Sequence, residues 1–314
     1  MRRYIFGPVP SRRLGTSLGV NNLPHKICSY SCVYCQAGPT SYKTILRRRF
    51  SSADMILREV KEVLRRGIQV DYVTFVPNGE PTLDTEIGRA AQLIASLGLH
   101  TAVITNSSLL WREDVRSDLH YFSLVSIKID TVNDKLWRKL NRPHEDLDLS
   151  KVLKGIEEFC KEYRGVMLTE TMLVRGLNTS EEEARATARF IRRLDPSKVY
   201  ISVPVRPPTE PWVKPPTEEE IVVVYTTFTQ ELGRCVELLT SPEPPRFEVL
   251  DNPREYLLNL TSVHPLRYDY AVKALSRVCE EPERLIQCLI REGVLALVEY
   301  QGQRYLVRRR PGRE

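Results

Sequence analysis

The sequence predicts an α/β fold built on a parallel sheet. Six short apolar runs recur along the chain, stretches of helical periodicity separate them, and hydroxyl–carboxylate signatures mark helix starts. The predicted strands are Leu18–Leu23, Tyr72–Val76, Thr101–Thr105, Leu124–Ile129, Met167–Leu173 and Val199–Val203. The predicted helices lie near 52–66, 84–98, 111–119, 148–162 and 180–194. Ser180-Glu181-Glu182-Glu183 and Thr217-Glu218-Glu219-Glu220 read as capping boxes, in which hydroxyl and carboxylate satisfy free backbone N–H groups.

Two features follow the sixth strand. Residues 204–216 carry Pro204, Pro207, Pro208, Pro211, Pro215 and Pro216, which remove backbone donors and stiffen the chain. That stretch reads equally as a lid over the sheet or as a rigid connector. Residues 265–314 read as a separate small module, after a main domain over 1–260. Helices are expected over 267–279 and 281–292, with Gly293 as a C-cap. A hairpin over 294–307 turns at Gln301-Gly302-Gln303, so the module resembles a winged helix.

Composition places the chain among soluble globular proteins. It has 314 residues, 42% of them hydrophobic and 27% charged. No run reaches the roughly eighteen apolar residues of a membrane span. The start, Met1-Arg2-Arg3-Tyr4-Ile5-Phe6, lacks the apolar core of a signal peptide, so a cytoplasmic location is expected. The net charge is +6, and the first 53 residues hold nine Lys or Arg and no acid. Such a field favours anionic partners, nucleic acid among them.

Seven cysteines are present, and three of them are clustered: Cys28, Cys32 and Cys35, spaced C-x3-C-x2-C. Cubane clusters are normally held by four thiolates. Three leave one iron open to another ligand. The other reading is structural zinc, with His25 as a fourth ligand. No second C-x2-C pair exists to complete the usual zinc spacing. Cys160, Cys235, Cys279 and Cys288 are scattered and read as small hydrophobes.

The loop over 26–38 resembles the cluster loop of the radical S-adenosylmethionine (radical SAM) superfamily. The flanks Phe6-Gly7-Pro8-Val9-Pro10-Ser11-Arg12-Arg13-Leu14-Gly15 and Ser17-Leu18-Gly19-Val20 resemble an uncharacterised archaeal and bacterial group within it. That group is related to the wybutosine-synthesis enzymes that modify tRNA. The resemblance implies a partial (β/α)6 barrel, a [4Fe-4S] cluster on Cys28, Cys32 and Cys35, and S-adenosylmethionine (SAM) chelated at the open iron. It implies reductive cleavage of SAM to a 5′-deoxyadenosyl radical, fed by a flavodoxin- or ferredoxin-like electron donor.

It also implies site residues. Tyr34 is expected near the adenine. Asn78-Gly79-Glu80-Pro81 resembles the motif that accepts hydrogen bonds from the SAM ammonium, with Glu80 as the acceptor. Asn106 and Ser107, at the end of the third strand, are expected to bind the cofactor. Ser126, Lys128 and Asp130 share one strand face by alternation. Lys128 is expected to meet the methionine carboxylate or the substrate, and Asp130 the ribose or Lys128; both are candidate catalytic residues. Glu170 and Thr171 are expected at the ribose or the substrate, and Val203 and Pro204 at the adenine. Asn141-Arg142-Pro143-His144 is a candidate substrate contact. The substrate reads as RNA, tRNA above all, or as a protein or small metabolite. An RNA-binding zinc protein without redox chemistry is the third alternative.

Overall fold

A computed structural model describes residues 3–24, 26–245, 247–249 and 252–309. His25 and the last residues of the carboxyl-terminal module, 310–314, lie outside the described residues. The chain opens with an antiparallel hairpin, β1 (Ile5–Ser11) and β2 (Gly15–Val20). The cysteine loop follows, bracketed by a two-residue parallel pair, β3 (Ile27–Cys28) and β4 (Tyr42–Lys43). Then βα units repeat: α1 (Ala53–Leu64), β5 (Tyr72–Phe75), α2 (Ile87–Ala95), β6 (Thr101–Thr105), α3 (Glu113–Leu119) and β7 (Leu124–Lys128). They continue through α4 (Asp134–Asn141), α5 (Leu149–Glu162), β8 (Val166–Met172), α6 (Glu181–Arg192), β9 (Lys198–Ser202), α7 (Glu218–Leu232) and β10 (Val236–Leu239).

The main sheet runs β1-β2-β5-β6-β7-β8-β9-β10. Every neighbouring pair is parallel except β1–β2. This is the expected partial barrel, extended by a parallel strand β10 and an antiparallel edge strand β1. Both additions sit at edges. An edge position suits β1, because Pro8 and Pro10 cannot donate to a ladder on both sides.

Helix starts follow residues with a hydroxyl, amide or carboxylate oxygen. Ser52, Asn133, Asp148, Ser180 and Thr217 each accept a backbone N–H of the first turn. Thr217 closes a full box, with Glu220 returning to the Thr217 N–H at 2.8 Å. Ser180 does not. Glu183 instead accepts from Thr131 Oγ1 at 3.1 Å and Asn133 Nδ2 at 2.7 Å, which ties α6 to the loop after β7.

The two faces of the sheet divide the labour. Outward residues such as Phe75, Val103, Val125, Ile127, Val199 and Ile201 form one apolar core with the helices. Each such buried side chain contributes about 1.5–3 kcal/mol. Inside, Leu14, Ala102, Leu124, Leu168, Tyr200 and Leu239 plug the amino-terminal end of the barrel. Above the plug the inner wall turns polar, with Ser17 and Thr74 in hydrogen bond at 2.7 Å and Glu170 and Ser202 at 2.8 Å. The interior opens at the carboxyl ends of the strands, where barrels of this kind keep their ligands.

The carboxyl-terminal elements are α8 (Pro253–Val263), β11 (Leu266–Arg267), α9 (Tyr268–Leu275), α10 (Pro282–Arg291), β12 (Leu295–Tyr300) and β13 (Gln303–Arg308). The strands pair as β11-β13-β12. Helix, strand, two helices and hairpin is the order a winged helix has. Its apolar core is not confined to residues after 265. Tyr256, Leu257 and Leu260 of α8 belong to it, as do Phe247 and Phe6 of β1. The boundary expected between 260 and 265 thus falls inside one packing unit, which rests on the first hairpin. Among the described residues no helix is long and apolar enough to cross a membrane.

Candidate active site

A cavity of about 240 Å³ opens at the carboxyl ends of the strands, and Cys28, Cys32 and Cys35 all line it. All three are free thiols. Each has a nitrogen donor in reach: Lys26 Nζ at 2.9 Å from Cys35, Asn106 Nδ2 at 3.5 Å from Cys28, and Asn141 Nδ2 at 3.5 Å from Cys32. Burial pushes the Cys28 thiol up to about 11 and the Cys32 thiol up to about 12. Burial acts the same way on Cys35, but the Lys26 ammonium outweighs it and holds that thiol below its usual value. Buried thiols ionise fully when a metal takes the charge. Among the described residues no three His, Cys, Asp or Glu side chains converge on one metal ion. A cubane makes no such demand, since each thiolate takes its own iron. The three sulfurs around one cavity therefore fit a cluster.

The loop that carries them is held by backbone. Glu80 N–H donates to Ile27 O at 3.0 Å, one residue before Cys28. A Cβ on Gly79 would stand 1.8 Å from that same oxygen. Glycine at 79 is thus needed for the close approach of the cysteine loop, whether or not it also touches a ligand.

Glu80 is 1% exposed and accepts four hydrogen bonds. They come from Thr82 N–H (3.1 Å), Thr82 Oγ1 (2.7 Å), Thr105 Oγ1 (2.6 Å) and Asn106 N–H (2.7 Å). Three fall on Oε1 and one on Oε2, so Oε2 keeps acceptor capacity toward the cavity it lines. Burial pushes this carboxyl up, against the pull of its donors.

On the facing wall Lys128 Nζ lies 3.4 Å from Glu170 Oε1 and 4.9 Å from the centre of the Tyr34 ring. Glu170 also takes Ser202 Oγ at 2.8 Å and pairs with Arg13. Of the residues expected from sequence, Tyr34, Gly79, Glu80, Asn106, Lys128, Glu170, Val203 and Pro204 line the cavity with the three cysteines.

Other expected residues are placed elsewhere. Asn78 and Pro81 are buried beside the motif and do not line the cavity; Pro81 O accepts Asn22 Nδ2 at 3.1 Å. Ser107 is turned away by a left-handed backbone (φ 67°), and its hydroxyl accepts Lys128 N–H at 3.2 Å. Asp130 lies two residues past the end of β7, where strand alternation no longer holds. Its carboxylate accepts from Tyr34 Oη, from Asn141 Nδ2 at 2.7 Å and from Met172 N–H at 2.9 Å. It orients Tyr34 and Asn141 around Cys32, and its Oδ1 lies 3.9 Å from Lys128 Nζ, the pairing expected from sequence, although Asp130 does not line the cavity. Thr171 Oγ1 is spent on Ile129 O at 2.7 Å, and Pro204 O on Tyr300 Oη at 2.8 Å. His144 packs on the cysteine loop, its N–H donating to Ser29 O at 2.8 Å.

The proline-rich stretch crosses this loop. Thr209 Oγ1 donates to Cys35 O at 2.7 Å and Glu210 N–H to Val33 O at 3.0 Å. Arg206 Nη1 donates to Gln36 Oε1 at 2.7 Å. Sequence reasoning missed Arg12, Arg13, Lys26 and Arg206, all of which line the cavity. Lys26 could have been found from its place two residues before Cys28. The arginines carry no local signal, since they meet across nearly two hundred positions.

Residues 22–191 match the Radical SAM superfamily. The chain belongs to that superfamily. The UPF0026 protein of Methanocaldococcus jannaschii is 44% identical over 301 residues, 95% of this radical SAM chain and 94% of the relative. A probable dual-specificity RNA methyltransferase of Endomicrobium trichonymphae is 24% identical over 203 residues, 62% of this chain and 57% of that one. The structure of TYW1 with a lysine–pyruvate adduct bound superposes at a TM-score of 0.51 and 16% identity, over 69% of this chain and 75% of that one. The likeness to TYW1 is one of fold.

Proposed function

We propose that this radical SAM protein cleaves SAM reductively and uses the resulting 5′-deoxyadenosyl radical to take a hydrogen atom from an RNA substrate. The observation that carries the reading is the set of three free cysteines on one cavity at the mouth of the barrel, which the buried Glu80 and Lys128 also line. Cys28, Cys32 and Cys35 would hold a [4Fe-4S] cluster, which when bound supplies the one electron that breaks the carbon–sulfur bond of SAM.

The chain's own residues do the rest. Lys26 stabilises the Cys35 thiolate by charge and hydrogen bond. Glu80 offers its remaining acceptor direction to an ammonium group. Lys128, half held by Glu170, offers a cation to a carboxylate. Tyr34, fixed through its hydroxyl by Asp130, gives a flat face for an adenine. The apolar plug below and the strap of residues 204–210 above keep water from a reactive radical.

RNA is favoured by the acid-free, basic first 53 residues and by likeness to an RNA methyltransferase. The exposed Glu280, Glu281 and Glu283 argue against α10 as the RNA-contacting element. RNA then enters at the barrel mouth. The electron comes from a flavodoxin- or ferredoxin-like donor.

The test is anaerobic reconstitution followed by reduction with SAM present. Release of 5′-deoxyadenosine and methionine is expected, and retention of bulk tRNA that weakens steeply with salt. A colourless protein holding zinc and no iron, or one that leaves SAM intact, defeats the reading.

A further inference from the structure

One wall of the cavity carries more positive charge than the mechanism above uses. Arg12 and Arg13 follow β1 and Arg206 follows β9, and all three line the cavity. Their partners are too few. Arg13 pairs with Glu170, which it shares with Lys128; Lys128 also lies 3.9 Å from Asp130 Oδ1. Arg206 pairs with Glu243, whose other oxygen meets His264 Nε2 at 3.1 Å. Arg12 Nη1 donates to the carbonyls of Leu239 at 3.0 Å and Ser241 at 2.9 Å. Among the described residues the three arginines therefore meet two carboxylates, one shared with Lys128 and the other with His264, and the side chains of Arg13 and Arg206 are only 15% and 10% exposed. Burying unmatched charge is costly unless a ligand completes it. The strain is visible in the guanidinium groups. Burial lowers Arg12 and Arg13 to about 10 each, and the nearby positive charge of Arg206 adds to the lowering of both.

We propose that Arg12, Arg13 and Arg206 form a phosphate-binding wall that takes a phosphate group of the substrate. This rests on the reading that substrate enters the cysteine-lined cavity. The SAM carboxylate is assigned to Lys128, so the three arginines keep one positive charge more than the two carboxylates they meet. A carboxylate has two oxygens and is satisfied by one bidentate guanidinium. Several planar forks arriving from two chain segments match a group with more oxygens. The wall is also held in place. Tyr300 Oη donates to Pro204 O at 2.8 Å and Tyr305 Oη to Val205 O at 2.9 Å, so the carboxyl-terminal hairpin grips the two residues before Arg206. The phosphate is a terminal monoester or an internal phosphodiester of RNA.

The test is calorimetric titration of the full-length, iron-loaded protein under saturating SAM. The probes are ribose 5-phosphate, ribose, acetate and the dinucleotide ApA. Ribose 5-phosphate or ApA is expected to bind at least tenfold more tightly than ribose and acetate. The tighter of the two identifies the terminal or the internal phosphate. Arg12→Gln is expected to weaken the preferred probe at least tenfold, and Arg12→Lys to restore part of the loss. Phosphate probes no tighter than ribose, acetate as tight as phosphate, or full affinity in Arg12→Gln each overturn the proposal. If Arg12→Gln fails to fold, by circular dichroism, the four-probe comparison on the unmodified chain still decides. Iron content and 5′-deoxyadenosine release from the same samples are read separately. Their absence defeats the proposed activity, whereas phosphate selectivity answers for the wall alone.

Discussion

Replacing Gly79 with alanine puts a methyl carbon 1.8 Å from the Ile27 carbonyl oxygen, 2.7 Å from its carbon and 2.9 Å from Leu23 Cδ1. The first two obstacles are backbone, so no rotamer change relieves them. The cysteine loop must retreat by ~1.2 Å or more before the contact is tolerable, and overpacking of this kind costs ~1–3 kcal/mol. The retreat also strains the Glu80 N–H bond to Ile27 O, which stands at 3.0 Å. Cys28 is the next residue along, so its sulfur moves with the loop. The expected result is a folded protein with a thermal midpoint lower by a few degrees and a clear deficit in iron after anaerobic reconstitution. Gly67→Ala is the control. Its φ is +75° and nothing lies within 4 Å of its Cβ. It should cost ~1 kcal/mol of backbone strain with iron content unchanged. Full iron loading and an unshifted midpoint in Gly79→Ala would refute the close-approach reasoning.

Three further outcomes are expected. Cys32→Ala should keep the fold and lose the brown colour and the cleavage of SAM; iron content equal to the parent's would contradict its role as a ligand. Glu80→Ala removes a carboxylate with four donors, so stability should fall by ~1–3 kcal/mol for the donors left unmet and SAM affinity should weaken; an unchanged melting curve would remove the structural half of that role. Acid should loosen the seam between strap and module. Burial, then Arg206, holds His264 below its usual value, against the upward pull of Glu243. Burial pushes Glu243 up, but His264 and Arg206 outweigh it and hold that carboxyl far below the usual range. Both groups bind protons less readily folded than unfolded, so unfolding takes up protons as pH falls. Their stabilisation is complete above the unfolded histidine value of about 6.5, declines below it, and declines further below the unfolded glutamate value of about 4.3. Urea midpoints should fall between about pH 7 and pH 5, less so in His264→Gln; identical profiles would count against the seam.

Much of this was legible in the sequence because barrel strands buried on both sides are short apolar runs, and capping residues announce the helices between them. The runs beginning at 72, 101, 124, 167 and 199 became β5 to β9, the last two shifted by one residue. The elements missed lacked those marks. Glycine and two prolines disguise β1, and an edge strand tolerates them. β10 is four residues long, and α4 is eight residues with mostly polar character. In the site, the three cysteines and the residues at strand ends were readable from spacing. The pairing of Asp130 with Lys128 was readable as well; its bonds to Tyr34 and Asn141 were not, because those partners come from other segments. The arginine wall was invisible for a different reason. Residues 12, 13 and 206 become neighbours only when the sheet curls, and Arg12 reaching the carbonyl of Leu239 joins its first edge to its last.

The grip of Tyr300 and Tyr305 falls on main-chain oxygens at 204 and 205. Every amino acid offers that same atom. Substitutions in the strap can therefore alter what the barrel mouth admits while the clamp from the hairpin stays intact. Relatives that diverge from residue 206 onward can acquire new preferences without rebuilding the scaffold that presents them.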